Sequence, residues 1–463
     1  MSQEKKNTVV GLLSRALHRI RATPPRIIAS PATQPRRAAV AIVIRVVPSS
    51  AAPPIPSDEP LPTLGQFFDL DWVKDPAART ELLFLRRDGS PSDVVPGHIN
   101  TPKTSLAGDT GTRGKNKAEE HLAFPGGRME EGDEGGLYTA MRQTWEEIGL
   151  DLAERDFTCI GQLDDREITT SLGKRLLMIL SPFVFLQLTP HALSTDPADG
   201  TTIHWMPLET LISAVLPEQV GQKNSRGRWS TVTADAASRL TPRHAAILKI
   251  LVRVLIGSMQ FPAIVLDLPD PEVHPSNVGS PELLPSSASY HALTQDVLEK
   301  GIPSDKVAPG QRKKPSKRDQ LKLWGLSLGM TLDLMANMVP EPSHTQQAAG
   351  QPLPSLQLPF HPVGGEGMRI DAVAPSLASV FPRFSYPDVN FWIWVFGKRY
   401  REVVRGWEAS IREGGSNDRR LNWAGTVLNN FYAAVRKALI VVIVLRAIGV
   451  LCGLVFAGWW LLA

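Results

Sequence analysis

Residues Phe124–Leu150 read FPGGRMEEGDEGGLYTAMRQTWEEIGL, and the rest of the chain is best read outward from them. A Pro-Gly-Gly turn runs through an acidic loop into a segment with helical periodicity. Leu137, Met141, Thr144, Trp145 and Ile148 recur at three- and four-residue intervals, which predicts a helix with that face buried. Gly149 supplies the stop, as a glycine just past a helix commonly does. Gln143, Glu146 and Glu147 stand at i, i+3 and i+4, so their side chains share a patch on the opposite face. The loop adds Glu130, Glu131, Asp133 and Glu134. So dense a set of oxygen ligands suits a hard divalent cation, Mg²⁺ or Mn²⁺.

The stretch resembles the signature of the Nudix hydrolases, which cleave nucleoside diphosphates linked to another group. In that family a glycine opens the loop, an acidic residue follows, and the helix carries Arg-Glu-x-x-Glu-Glu-x-Gly. Gly127, Asp133, Arg142, Glu146, Glu147 and Gly149 fall in those places. The chain departs from the pattern twice: the loop is one residue longer, and Gln143 replaces the glutamate after the arginine. The longer loop and Thr139-Ala140-Met141-Arg142 look most like the coenzyme A diphosphatase branch. Asn116 and Glu120, however, stand where that branch has an arginine and a glycine.

The resemblance implies an α+β fold, an α/β/α sandwich around a mixed sheet. It implies a metal-dependent diphosphatase acting on a nucleotide-derived substrate, with coenzyme A or an acyl-CoA among the candidates. Metal would be held by Glu146, Glu147 and the carbonyl of Gly127, neutralising the diphosphate and lowering the pKa of bound water. Catalytic roles fall to Arg142, Gln143, Glu146, Glu147 and Glu134, and substrate contacts to Gly126, Gly127 and Arg128. Arg142 would fix the carboxylates through a bidentate ion pair. Because a glutamine cannot act as a general base, the alternative is a catalytically weakened, membrane-anchored nucleotide-binding or scaffold protein of the same fold.

The other regions are set by length and composition. A chain of 463 residues exceeds one ordinary domain, and its 39 prolines point to linkers. The formal charge of +4 is modest, and no nucleic-acid partner is expected. Cys159 and Cys452 give neither a disulfide framework nor a zinc spacing. Residues 1–35 read as a basic disordered arm, or as a basic amphipathic helix over Thr8–Ala22 like that of a transit peptide. The Nudix-like domain is expected over 36–268, with insertions at 48–79 and 90–120. Strands are expected at Arg37–Val47, Glu81–Arg87, Leu122–Phe124, Phe157–Leu163 and Leu176–Leu188. Thr201–Ile212 reads as a strand running into a helix. Ser238–Gly257 reads as a basic helix started at Thr241-Pro242, and Pro262–Leu268 as a strand closing the domain.

Residues 269–320 form a Pro- and Ser-rich linker containing the basic run Arg312–Arg318. Residues 321–437 are expected to be helical, aromatic and membrane-proximal, with an amphipathic helix at Leu321–Met338 and a linker at 340–366. Ala438–Ala463 (ALIVVIVLRAIGVLCGLVFAGWWLLA) is long enough, at about 39 Å, to cross a hydrocarbon core of about 30 Å. Its apolar residues outweigh Arg446, which lies toward one end and can snorkel. The expectation is a single-pass, tail-anchored protein whose Nudix domain faces the cytosol.

Overall fold

The computed structural model describes residues 8–29, 36–49, 60–87, 122–169, 176–191, 194–216, 228–236, 246–267, 320–339, 355–356, 368–369, 379, 381–403, 406 and 423–462. Strand β1 (Arg37–Val47) is its centre, buried without interruption from Ala38 to Ile44. A continuous run of alanine and β-branched residues is what a strand covered on both faces requires. β1 pairs in parallel with β7 (Leu176–Gln187), and antiparallel with β2 (Arg79–Arg87) and β4 (Gly126–Arg128). β2 also pairs with β3 (Leu122–Ala123) and β8 (Thr201–Pro207), and β7 with β5 (Phe157–Gln162) and β6 (Arg166–Thr169). The result is an eight-stranded mixed sheet. On one face Ala39, Ala41, Val43, Leu83 and Leu85 pack with Ala140 and Ile148 of helix α4 (Gly136–Ile148). Ile42, Ile44, Leu82 and Phe84, alternating with them, are equally buried on the other face. Helix α5 (Leu208–Val215) follows β8 and packs on β2 and β8. The α+β sandwich is as expected.

The arm is corrected in part: over Val9–Ala22 the chain is helical, as its second reading has it, and not disordered. Helix α1 (Val9–Ala22) buries Leu12, Leu13, Ala16, Leu17 and Ile20, and Thr8 caps its start. A one-sided apolar stripe gives this segment something to bury, against β5 and against helix α7 (Gly325–Ala336). Arg15 and Arg19 donate to the Met338 and Val339 carbonyls, at 2.8 and 3.1 Å. Residues 1–7 and 30–35 of the arm lie outside the described residues. Within the 48–79 insertion stand the short helices α2 (Leu64–Phe67) and α3 (Asp71–Lys74). The 90–120 insertion lies outside the described residues, as do Thr241-Pro242, the run Arg312–Arg318, and most of the linkers at 269–320 and 340–366.

The domain boundary at 268 is the second correction. β10 (Ser258–Asp267) does not close the first sheet. It is central to another, with β9 (Trp229–Asp235), β11 (Gln320–Trp324) and β14 (Arg383–Phe384). Leu321–Met338, expected as one helix, is strand β11 followed by α7. The break falls at Gly325, whose φ of 63° is left-handed and favours glycine. A two-residue ribbon, β12 (Ser355–Leu356) with β13 (Met368–Arg369), stands apart. Beside the second sheet lie helices α6 (Ala246–Ile256), α8 (Pro387–Phe396) and α9 (Trp423–Leu462). α9 begins well before Ala438, because Val427, Phe431, Ala434 and Val435 are core residues. The Phe431 ring meets Phe381 at 4.5 Å and Tyr400 at 5.4 Å.

Candidate active site

Helix α4 is set against β1 and β4 by Thr139, Ala140, Thr144 and Ile148, all buried. The predicted inner face is therefore wrong in part: Leu137 is exposed and Trp145 is 56% exposed. Small side chains at Ala140 and Thr144 let the helix lie close to the sheet, and that leaves the larger ones at the rim. Two glycines complete the close approach. A Cβ on Gly126 would collide with the Ala39 carbonyl, and one on Gly127 would collide with Oε1 of Gln143. At its other end the helix stops at Gly149, in the left-handed region at φ 67°. The Ile148 and Glu147 carbonyls accept from the Asp196 and Ala198 amides, at 2.8 and 2.9 Å.

Arg142 is the hub. Its Nε and Nη2 donate to Asp133 Oδ1 and Oδ2, both at 2.8 Å. Its Nη1 donates to both oxygens of Glu146, at 2.9 and 3.1 Å, and lies 3.5 Å from Glu130. Nη2 also reaches the Arg128 carbonyl at 3.2 Å. Asp133 accepts further from the Glu130 amide and the Thr139 hydroxyl, at 2.9 Å each. The Arg142 hydrogen bond, reinforced by those donors, holds the Asp133 carboxyl well down, at about 2. The same pairing with Asp133, and that with Glu146, pushes the guanidinium up. The loop is thus locked to the helix through Asp133, while Glu134 is exposed.

Gln143 and Glu147 complete the patch. The Gln143 amide nitrogen donates to Glu146 at 2.9 Å, leaving its oxygen against Gly127. Glu147 is gripped by Arg87, the last residue of β2, through Nε to Oε1 and through Nη2 to Oε2 at 2.7 Å. Sequence reading missed Arg87. The available signal was the Arg86-Arg87 pair ending an otherwise apolar strand. Arg128 carries a buried Nε with no hydrogen-bond partner among the described residues. The His204 imidazole, half-buried on β8, is pushed down by burial and by the charge of Arg86. His121, Asn116 and Glu120 lie outside the described residues.

Among the described residues no three His, Cys, Asp or Glu side chains form a ready cage for a divalent cation. The donors on offer, the Gly127 carbonyl, Gln143 Oε1, Glu146 and Glu147, are nevertheless all oxygens, which suits a hard cation in kind. The two carboxylates are at present each balanced by a guanidinium, Glu146 by Arg142 and Glu147 by Arg87.

With this geometry in view, residues 109–226 match the family model described as the NUDIX domain. The chain carries a Nudix domain. The matched stretch begins after β1 and β2, which belong to the same eight-stranded sheet as the strands within it. A Schizosaccharomyces pombe protein, "Uncharacterized protein C14C4.10c", is 30% identical over 147 residues, 32% of this chain and 41% of that protein. The chain thus spans about two fifths of that relative's length. Among solved structures, a C. elegans Ap4A hydrolase binary complex is 13% identical, with a TM-score of 0.21 over 38% of this chain and 83% of that one. The NUDIX domain of Shewanella oneidensis NrtR complexed with ADP ribose is 13% identical, with a TM-score of 0.20 over 40% and 79%. A MutT/nudix family protein from Enterococcus faecalis is 12% identical, with a TM-score of 0.20 over 45% and 56%.

Proposed function

We propose that the Nudix domain hydrolyses a phosphoanhydride in a nucleotide-derived substrate, with Mg²⁺ or Mn²⁺ as cofactor. The observation that carries this reading is the double grip of Arg142. It ties Asp133 of the loop and Glu146 of the helix into one frame beside Gln143 and Gly127. A divalent cation held by Glu146, Glu147 and the Gly127 carbonyl would neutralise the diphosphate and activate the attacking water. Arg142 keeps Glu146 oriented. Arg87 is poised to exchange its fork between Glu147 and a phosphate oxygen, since a planar guanidinium matches either partner. Gln143 positions Glu146 and takes no proton. Glu134, exposed in the loop, is then the candidate base.

A second reading, a nucleotide-binding module with weakened catalysis, is favoured by one observation: Gln143 is neutral and both carboxylates already have cationic partners. A substrate panel separates the two. The full chain in detergent is incubated with coenzyme A, NADH, ADP-ribose and nucleoside diphosphate sugars, with Mg²⁺, Mn²⁺ or EDTA. The expected result is metal-dependent release of a nucleoside monophosphate or its equivalent from at least one of them. Tight binding with no turnover on any would establish the second reading.

We also propose that α9 anchors the protein as a single pass with the Nudix domain on the cytosolic side. Its Val427–Leu462 stretch is long and apolar enough to cross a membrane, and its outer part is exposed on every face.

A further inference from the structure

Beyond Arg446, α9 projects as Ala447–Leu462, exposed all round save at Gly458. At the rise of an α-helix this projection is about 24 Å, short of a hydrocarbon core of about 30 Å. Tilting would shorten it further. A span that begins at Lys437 and ends at the Trp459-Trp460 pair measures about 36 Å, which does suffice. It includes Ala438, Leu439 and Val442, which are buried in the protein.

The elements flanking this inner stretch present exposed apolar stripes, and the exposed Arg253 of α6 is paired with Asp235. Helix α6 presents Ile247, Ile250, Leu251 and Val254 outward, at i, i+3, i+4 and i+7, with Ile250 64% exposed. Its inward residues are Val252 and Ile256. An apolar stripe facing away from the core is the reverse of the pattern of a water-facing helix. Helix α8 does the same with Phe391, Trp394 and Val395. It runs antiparallel to α9, with Tyr400 beyond its C-terminal end against Phe431 and Asp388 in its first turn against Arg446. Phe391 thus lies nearer than Lys398, Arg399 and Arg401 to the level of Arg446. Arg436 and Lys437 sit on the same near side of α9.

The charge of Arg446 is accounted for in the same place. Its Nη2 pairs with Asp388 Oδ2 at 2.6 Å, its Nη1 donates to the Leu255 carbonyl at the end of α6, and its guanidinium lies 4.5 Å from the Tyr386 ring centroid. The Tyr386 hydroxyl in turn donates to the Val254 carbonyl at 3.2 Å. In water this ion pair would be worth little. In hydrocarbon an unpaired arginine is costly, and ionisable groups there are held against one another or against carbonyls.

We propose that α6 and α8 are themselves immersed in the bilayer, so that the protein meets lipid through a three-helix face closed around the Arg446–Asp388 pair. Acyl chains cover Ile247, Ile250, Leu251, Val254, Phe391 and Trp394, while the basic residues at the far end of α8 meet anionic headgroups. This rests on the reading of α9 as an anchor and deepens it from a single tether to a docked domain with a fixed depth.

The test uses the full chain in nanodiscs of phosphatidylcholine and phosphatidylserine, with Cys159→Ser and Cys452→Ser as background. Nitroxide labels are placed singly by Ile250→Cys, Phe391→Cys, Val455→Cys and Glu154→Cys. Collision with oxygen marks lipid, and collision with a nickel chelate marks water. The expected result is loss of nickel accessibility and gain of oxygen accessibility at 250 and 391, as at 455, with the opposite at 154. Aqueous readings at 250 and 391 with a lipid reading at 455 would overturn the proposal while leaving the anchor intact. Aqueous readings at all three would overturn both. Labels at 250 and 391 closed to both reagents would show a protein, a second copy or another chain, on that face, and would equally overturn it.

Discussion

Arg142 and Arg446 each collect partners from several segments, yet they do opposite work. Arg142 stands in a loop-and-helix frame and gives most of its donors to the carboxylates of Asp133 and Glu146, with one bond to the Arg128 carbonyl, so that Glu146 is held in place half-exposed. Arg446 stands on an apolar helix and is met by one carboxylate, one main-chain carbonyl and one aromatic ring. The first arrangement displays negative charge, and the second conceals positive charge. The role of a guanidinium is set by its surroundings: polar and loop-borne around Arg142, apolar and helix-borne around Arg446.

The sharpest way to separate the two regions is truncation. Deleting Ala447–Ala463 is expected to move the protein from carbonate-resistant membrane to a detergent-soluble or peripheral fraction, with turnover kept. Deleting from Ala438 removes Ala438, Leu439 and Val442 from the core as well, and is expected to cost the fold, seen as loss of the cooperative melt. Equal behaviour of the two truncations would erase the distinction between the packed and the projecting halves of α9.

Within the Nudix site the largest expected effect is that of Glu147→Gln. A change in a residue that merely supports a metal ligand costs about 10–100-fold, so a change in a ligand itself should exceed about 100-fold in turnover. Mn²⁺ affinity measured by calorimetry should fall with it. Unchanged affinity would take Glu147 out of the metal set and leave it as the partner of Arg87 alone. Gln143→Glu is expected to act in the other direction, raising turnover at least about tenfold, because loss of a general base typically costs about 10²–10⁴. A flat result from an already active wild type would place the proton acceptor on another carboxylate, with Glu134 the first to test.

How much of this was legible in the sequence follows from how local each feature is. β1 was plain because eleven consecutive residues carry its pattern. The loop and helix were plain because their glycines and carboxylates lie within a single stretch. The inner face of α4 was not, since Leu137 and Trp145 share its period and only the closeness of β1 decides that small residues go inside. β4, three residues long, has no period to detect. The second sheet joins strands from 229 to 384, and nothing in any one of them names its neighbours. Arg87 and Arg446 were visible as charges at the end of an apolar strand and in the middle of an apolar helix. Their partners, 60 and 58 residues away, were not.

The smallest expected effect lies in the link between loop and helix. The Asp133 carboxyl titrates at about 2 in the folded protein, below its ordinary value of 3.8, chiefly because Arg142 holds it. A folded value below the unfolded one means that the charged pair stabilises above about pH 4. That contribution is lost as pH falls through about 2, where both states bind the proton. The shift alone would correspond to about 2 kcal/mol, and screening at the rim of a solvent-facing loop reduces the working figure to about 1 kcal/mol. Asp133→Asn keeps one oxygen for the Glu130 amide, removes the charge and replaces the other acceptor facing Arg142 with an amide donor. It is expected to lower the melting temperature by about 2–4 °C at pH 7, with the gap from wild type closing between pH 4 and pH 2. If the Asp133→Asn gap stays constant with pH, the stabilisation comes from hydrogen-bond shape rather than charge, and the electrostatic half of the contrast between the two arginines falls.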